Sequence, residues 1–214
     1  MSDYFAKTRV EYVKGSLEEC AVAHSPFEQF KTWFSEAVQH EPNEPNACAV
    51  ATVGADLQPS VRFVLLKHFD ERGLVFFSNY SSHKGRQLAE NNKAALVFYW
   101  PTLERQVRVE GAVERVSEEE TDRYFYSRPR DSQFGSAVSA QSEVAPSRAA
   151  LEAAMQELRA RVGEGVVPRP AHWGGYRVVP HCFEFWQGRE NRLHDRLRYR
   201  LDANGAWHIE RLWP

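Results

Sequence analysis

The apolar positions of this chain change period several times, and each change marks a predicted element. From Ser25 they fall at helical spacing. Phe27, Phe30, Phe34, Ala37 and Val38 make one stripe, the pattern of a helix laid on a sheet. Ser25, Pro26 and Glu28 supply its start as a capping serine, a proline at the first helical position and the acid of a capping box. From Ala47 the period shortens to two. Strands are predicted over 47–53, 59–69 and 74–78, joined by turns at 54–57 and 70–73. A short helix over 84–91 and strands over 94–100 and 106–116 follow. Ser117 and Glu120 open a second capped helix, which Pro129 halts after Ser127. A third helix spans 149–162. Beyond a loop rich in Gly and Pro over 163–175, strands are predicted over 176–186, 192–201 and 206–212.

Strands that succeed one another through short turns lack the helical crossovers of a parallel sheet. Antiparallel strands in this number tend to close on themselves, which removes exposed edges. The expected fold is a mainly β antiparallel barrel with peripheral helices, formed by one domain over 21–214 behind an arm over 1–20.

Composition narrows the possibilities further. With 214 residues, six Trp, eight Tyr and thirteen Phe, the chain can bury a real core. A net charge of −2 gives no global basic field for nucleic acid. Cys20, Cys48 and Cys182 lie far apart with neither zinc spacing nor a disulfide framework, so a reducing cytoplasm is the expected compartment. No segment reads as a signal peptide or a membrane span, and no GxGxxG or Walker A sequence is present. No His/Asp/Glu cluster has metal spacing, no carboxylate pair suits hydrolysis, and no nucleophile elbow supports a serine triad.

Local clusters of cations remain. Arg192, His194 and Arg196 recur at every second position, which on a strand places them side by side. Such a row calls for an anion, a carboxylate network or open solvent. Arg62 and Lys67 stand at opposite ends of Arg62-Phe63-Val64-Leu65-Leu66-Lys67, which places them on opposite faces of the sheet, either toward two different anions or with Lys67 and His68 marking the solvent end of the strand. Ser78 to Arg86 is a loop of hydroxyls and basic residues entering a helix, either a phosphate cradle or an ordinary capped loop. Tyr124 and Arg128 lie four apart at a helix end, and Pro129 brings Ser132 in from the next turn. These three suit a second phosphate, unless Arg128 and Arg130 are spent on Glu118–Glu120 or Asp131. Gln106, Gln141 and Ser142 offer neutral donors and acceptors for a heterocycle, and Trp173 and Trp186 offer flat rings or core filling.

The segments RFVLLKHFD, TLERQVRVEG, YFYSRPRDSQFG, HWGGYRV and FEFWQGRENRLHDR closely resemble the pyridoxine/pyridoxamine 5′-phosphate oxidase family, from about Arg9 to the C-terminal Arg-Leu-Trp-Pro. The resemblance implies an FMN-dependent oxidase on a split barrel, acting as a homodimer with flavin at the subunit interface. It implies oxidation of pyridoxamine or pyridoxine 5′-phosphate to pyridoxal 5′-phosphate, with dioxygen consumed and hydrogen peroxide released. By position, Arg62, Ser78 and Lys84 hold the FMN phosphate. Phe63, Val64, Leu65, Leu66, Lys67, Phe77, His83, Gln106, Gln141, Ser142, Trp186 and Arg196 complete the flavin site. Lys67, Tyr124, Arg128 and Ser132 bind the substrate phosphate. Arg192, Leu193 and His194 flank the pyridine ring, and Arg9 and Tyr12 help close the site. Arg192 and His194 are the expected catalytic pair, with His194 the better proton acceptor on chemical grounds. The chain departs from the family at His83, where an arginine is common, and at Phe77, where a tyrosine is common. Rival expectations are a split-barrel binder without oxidase activity and a nicotinamide-dependent flavin reductase.

Overall fold

The computed structural model describes residues 11–214, so Arg9 lies outside the described residues. Five helices and nine strands form among them. They run α1 (Pro26–His40), β1 (Ala47–Val53), β2 (Pro59–Leu65), β3 (His68–Asp70), β4 (Gly73–Asn79), α2 (His83–Glu90), β5 (Lys93–Trp100) and β6 (Arg105–Arg115). Then come α3 (Glu118–Ser127), α4 (Arg130–Val138), α5 (Arg148–Val162), β7 (Trp173–Gln187), β8 (Asp195–Leu201) and β9 (Trp207–Arg211). The strand order is β2-β1-β5-β6-β7-β4-β3, with β8 on β7 and β9 on β8. No described helix is long and apolar enough to cross a membrane.

The long strand β7 changes partner partway along. Residues 173–178 pair antiparallel with β4, and residues 182–187 pair antiparallel with β8. Pro180 stands between the two registers. It has no N–H to give a ladder, so the strand can exchange neighbours there without orphaning a donor.

The chain divides into two compact units. The first comprises residues up to 49 with 95–110 and 180–214. The apolar stripe of α1 fills its core as its spacing requires. Phe30 is fully buried, stacks on Phe34 and packs on Phe98 with ring centres 5.1 Å apart. Trp33 meets Phe185 edge-on at 5.3 Å. Ser25 takes the extended N-cap backbone conformation, but its side chain makes no cap bond.

The second unit comprises 50–94 and 111–179. Phe125 of α3, Phe134 of α4 and Leu158 of α5 close around Trp173, with Val167. Here Ser117 does cap, its Oγ accepting the Glu120 N–H at 3.1 Å. Most expected strands recur within a residue or two, although β7 starts at Trp173, three residues inside the expected loop, and three further differences stand out. The segment expected over 59–69 breaks at Leu66 and Lys67, where Lys67 donates its N–H to Val75 O and Leu66 is buried. The strand expected from 192 starts at Asp195; Arg192 ends a 3-10 turn with φ +61°, after Asn191 at +55°. Two left-handed residues in succession cannot continue a strand. Finally, Ser132 lies not in a turn but in the first turn of α4, for which Pro129 serves as N-cap.

Gly85, in the first turn of α2, is held by a close approach. A Cβ there would lie 2.1 Å from the Tyr80 carbonyl oxygen. Gly85→Ala should therefore cost about 1–3 kcal/mol through backbone displacement, read as a lower urea midpoint at unchanged slope.

Candidate active site

In the second unit a cavity of 660 Å³ is lined by Phe63, Val64, Leu65, Lys67, Phe77, Ser78, Lys84, Tyr124, Arg128, Ser132, Gln141 and Trp173, among others. That is the size of a site for a small organic molecule. Leu66, expected with its neighbours, points into the core instead.

At one place in the cavity wall stands Lys84, which is 7 % exposed. Its Nζ donates to Ser78 Oγ at 2.9 Å, to Gln141 Oε1 at 3.0 Å and to Ser82 Oγ at 3.4 Å. Every acceptor is neutral. Burial, together with repulsion from Arg62, pushes the ammonium down to about 8. Arg62 likewise meets only neutral oxygens, Thr52 Oγ1 at 2.6 Å, Val50 O at 3.4 Å and Ser60 Oγ, and burial lowers its pKa too. The helix N-terminus contributes less than expected. The His83 N–H goes to Ser142 Oγ at 3.1 Å and the Gly85 N–H to Ser82 Oγ, while the His83 side chain is exposed. Ser142 holds this bond from a left-handed backbone at φ +77°. The positive charge in this wall thus comes from side-chain cations, while the His83 and Gly85 amides are spent on serine hydroxyls.

Arg128 forms the other cationic point. Its Nη2 donates to Ser132 O and Ser136 Oγ, both at 2.9 Å, while the buried Nη1 has no partner. The carboxylates that could have claimed it are bound elsewhere. Glu118 pairs with Arg169, Glu119 with Arg123, Glu120 with Arg177 and Asp131 with Arg159. The guanidinium lies 4.6 Å over the Trp173 ring, and burial lowers its pKa. Phe77 stacks on Tyr124 with ring centres 4.0 Å apart and on Trp173 at 5.4 Å. Keeping the ring while losing a hydroxyl therefore preserves an aromatic ledge.

The first unit carries the C-terminal set. Trp186 and Arg196 face each other in register across β7 and β8. Around Trp186 gather His194, with ring centres 4.7 Å apart, and Tyr12 at 5.6 Å, and Tyr12 meets His194 at 5.6 Å. Tyr12 is fixed because the next two amides, of Val13 and Lys14, donate to Glu104 Oε2 at 2.9 and 3.0 Å. A cleft of 520 Å³ runs past Tyr12, Asn191 and Leu193. The row of three cations resolves into different situations. Arg196 is anchored on the Glu184 carboxylate at 2.9 Å and on Trp213 O. Arg192 is exposed and makes no ion pair among the described residues. His194 accepts the Arg189 N–H on Nδ1 at 3.1 Å, and burial and Arg192 lower its pKa. Gln106 is half-buried on β6.

Sequence reasoning missed Thr52, Ser60 and Gln87, which surround Arg62. Isolated polar residues on a strand and a helix carry no signal of burial.

Residues 34–161 match the family described as pyridoxamine 5′-phosphate oxidase, and residues 173–214 match the pyridoxine 5′-phosphate oxidase C-terminal dimerisation region. The chain belongs to the pyridoxamine 5′-phosphate oxidase family. A curated Cupriavidus pinatubonensis protein named pyridoxine/pyridoxamine 5′-phosphate oxidase is 56 % identical over 98 % of both chains. Crystalline Burkholderia lata PhzG, in complex with tetrahydrophenazine-1-carboxylic acid, is 33 % identical with a TM-score of 0.87, covering 95 % of this chain and all of that one. A pyridoxamine 5′-phosphate oxidase-related, FMN-binding protein of Nostoc punctiforme shares the fold at 15 % identity and a TM-score of 0.70, covering 89 % of this chain and 98 % of its own. The fold is the antiparallel split barrel of the pyridoxamine 5′-phosphate oxidase family.

Lys84 gives a pH signature. Its pKa lies below the ordinary 10.5 when the protein is folded. Between about 8 and 10.5 the unfolded chain therefore binds the proton more tightly at this site, so the contribution of Lys84 to stability rises with pH across that window. Buried Cys48 and Tyr176, whose pKa values are pushed up, contribute with the opposite sign there. The test is therefore a difference: the change in urea midpoint of the anion-free protein from pH 8 to pH 10.5 should be more negative in Lys84→Met than in the parent.

Proposed function

We propose that the chain is an FMN-dependent oxidase converting pyridoxamine 5′-phosphate and pyridoxine 5′-phosphate to pyridoxal 5′-phosphate. One observation carries this reading: two separate cationic points without carboxylate partners, buried Lys84 and half-buried Arg128, line a single cavity with an aromatic ledge. Two phosphates bound at once, one on a cofactor and one on a substrate, answer that arrangement. The names of the relatives support the same substrates.

Lys84, Ser78 and Arg62 fit a terminal phosphomonoester, whose two negative charges offset two repelling cations. Phe63, Val64, Leu65, Phe77, Gln141 and Ser142 accompany them as flavin contacts, and the family resemblance adds Gln106 of β6 and Trp186 and Arg196 of the C-terminal set. Bound FMN supplies a two-electron acceptor that dioxygen regenerates. The alcohol and dioxygen yield the aldehyde and hydrogen peroxide; the amine, dioxygen and water yield the aldehyde, ammonia and hydrogen peroxide. The match of residues 173–214 to a dimerisation region supports a homodimer as the working form, and the family resemblance implies flavin at the subunit interface.

Arg128 presents its unpaired Nη1 to the substrate phosphate, with Lys67, Tyr124 and Ser132 beside it. This anchor is remote from the reacting carbon, so its binding energy is spent on position. Arg192, Leu193 and His194 orient the pyridine ring, with Tyr12 against His194. The bond to Nδ1 changes what His194 can do. Because Nδ1 accepts the Arg189 N–H, the neutral ring carries its proton on Nε2. His194 thus offers a hydrogen-bond donor toward the substrate substituent, rather than the proton acceptor that its chemistry alone suggests. Arg192, always charged, acts electrostatically.

Purified protein should be yellow and should release peroxide on addition of pyridoxine 5′-phosphate, but not of a tricyclic carboxylate such as tetrahydrophenazine-1-carboxylic acid. Arg128→Ala should raise KM for pyridoxine 5′-phosphate by about tenfold to a hundredfold, the effect of losing one charged hydrogen-bond partner. Absence of peroxide, or an unchanged KM, refutes the respective assignment.

For His194, the Gln variant restores a donor near the Nε2 position but cannot serve as a base. His194→Gln should keep kcat within about tenfold of the parent, because loss of a true general base costs about 10²–10⁴. Nitrogen-15 shifts of the parent should show the Nε2–H tautomer at pH 7. A larger rate loss, with disappearance of the acidic limb of the kcat profile, would assign the base role to His194 after all.

A further inference from the structure

Gln87 lies on α2 one turn past Lys84 and is 4 % exposed. Its amide is held at both ends. The nitrogen donates to Gln58 O at 3.3 Å, which turns Oε1 toward β1 and β2. That oxygen accepts two hydroxyls, Thr52 Oγ1 at 2.6 Å and Ser60 Oγ at 2.7 Å. With their protons committed to Gln87, both hydroxyls offer lone pairs to the Arg62 guanidinium, which donates Nη1 to Thr52 and Nη2 to Ser60. One amide oxygen therefore sets both arms of the fork through two relays. The single acidic residue of α2, Glu90, is spent on the Ala55 N–H at 2.9 Å.

We propose that Gln87 is a positioning residue for the phosphate of the mononucleotide: it fixes the Arg62 fork through Thr52 and Ser60 with a neutral acceptor, leaving the cation's charge to the incoming anion. The proposal rests on the reading that Arg62 and Lys84 hold the FMN phosphate. A carboxylate is the common partner of a half-buried guanidinium, and the same unit uses that solution at Arg177, which pairs with Asp70 and Glu120. At position 87 a glutamate could accept the same two hydroxyls, but it would neutralise one of the two cations that the phosphate needs. The amide separates orientation from charge.

The test uses the full chain freed of flavin and titrated by fluorescence with FMN or with riboflavin, which lacks the phosphate. Gln87→Glu should raise the Kd for FMN by about tenfold or more, a loss of about 1.4 kcal/mol, and leave that for riboflavin within about twofold. In an Arg62→Met background the same substitution should add less than about twofold, since coupled residues are not additive. Gln87→Met, which removes the acceptor without adding charge, should also weaken FMN selectively. Equal weakening of both flavins, unchanged FMN affinity in either Gln87 variant, or a full effect in the Arg62→Met background overturns the proposal. If Arg62→Met itself leaves FMN binding intact, the phosphate assignment fails, whatever Gln87 does.

Discussion

Uncompensated positive charge in a buried cavity wall is the constraint on which the rest of the second unit depends. An isolated ion taken out of water costs several kcal/mol, so folded proteins pair such groups. This unit does pair them elsewhere. Arg177, 4 % exposed, meets Asp70 and Glu120, and Arg169 meets Glu118 and Asp122. Carboxylates are therefore available on α3 and β3, yet none reaches Arg62, Lys84 or Arg128. The acids of α3 are paired with other arginines, and that arrangement leaves Arg128 Nη1 open. On the proposed function, a dianionic ligand would restore the balance that the chain withholds from itself.

The backbone serves this electrostatic pattern through β4 and β7. Register places Ser78 opposite Gly174 and Asn79 opposite Trp173, so the hydroxyl that meets Lys84 and the ring that carries Arg128 come from neighbouring rungs of one ladder. Glycines at 174 and 175 leave room there, since a Cβ at 174 would lie 2.0 Å from the Tyr80 hydroxyl oxygen. Farther along β7, beyond Pro180, the same strand sets Trp186 opposite Arg196. One strand thus supplies an aromatic ring to each unit, and its change of partner at a residue without an N–H permits both.

Periodicity made most of this fold legible. The 3.6-residue stripe of α1 and the alternation of β1, β5 and β6 name both the element and its buried face, because burial follows side-chain direction. The failures are local. Helix α4 hides because Arg-Asp-Ser-Gln-Phe-Gly-Ser-Ala-Val contains a glycine and two serines and buries only Gln133 and Phe134. The break at Leu66 and Lys67 is invisible in an apolar run that could equally continue. Cationic site residues were visible as types at spacings, and their family resemblance gave them roles. What no spacing could show was which arginines are already neutralised. Arg196 and Arg128 look alike in sequence, yet one rests on Glu184 and the other has a free donor.

That contrast separates two uses of arginine in this chain. Where the acceptor is a carboxylate, as at Arg196, the guanidinium is locked and largely neutralised, and it is suited to packing beside the Trp186 ring opposite it. Where the acceptors are amides, hydroxyls and carbonyls, the geometry is fixed and the charge is retained. Gln87 serves Arg62 in this way through Thr52 and Ser60, Gln141 serves Lys84, and Ser132 O with Ser136 Oγ serves Arg128. Neutral acceptors are weaker partners, so the unliganded fold gives up stability to keep them. In exchange each cation is held in a fixed orientation with no ion pair to break before an anion arrives, the condition under which electrostatic preorganisation is most effective.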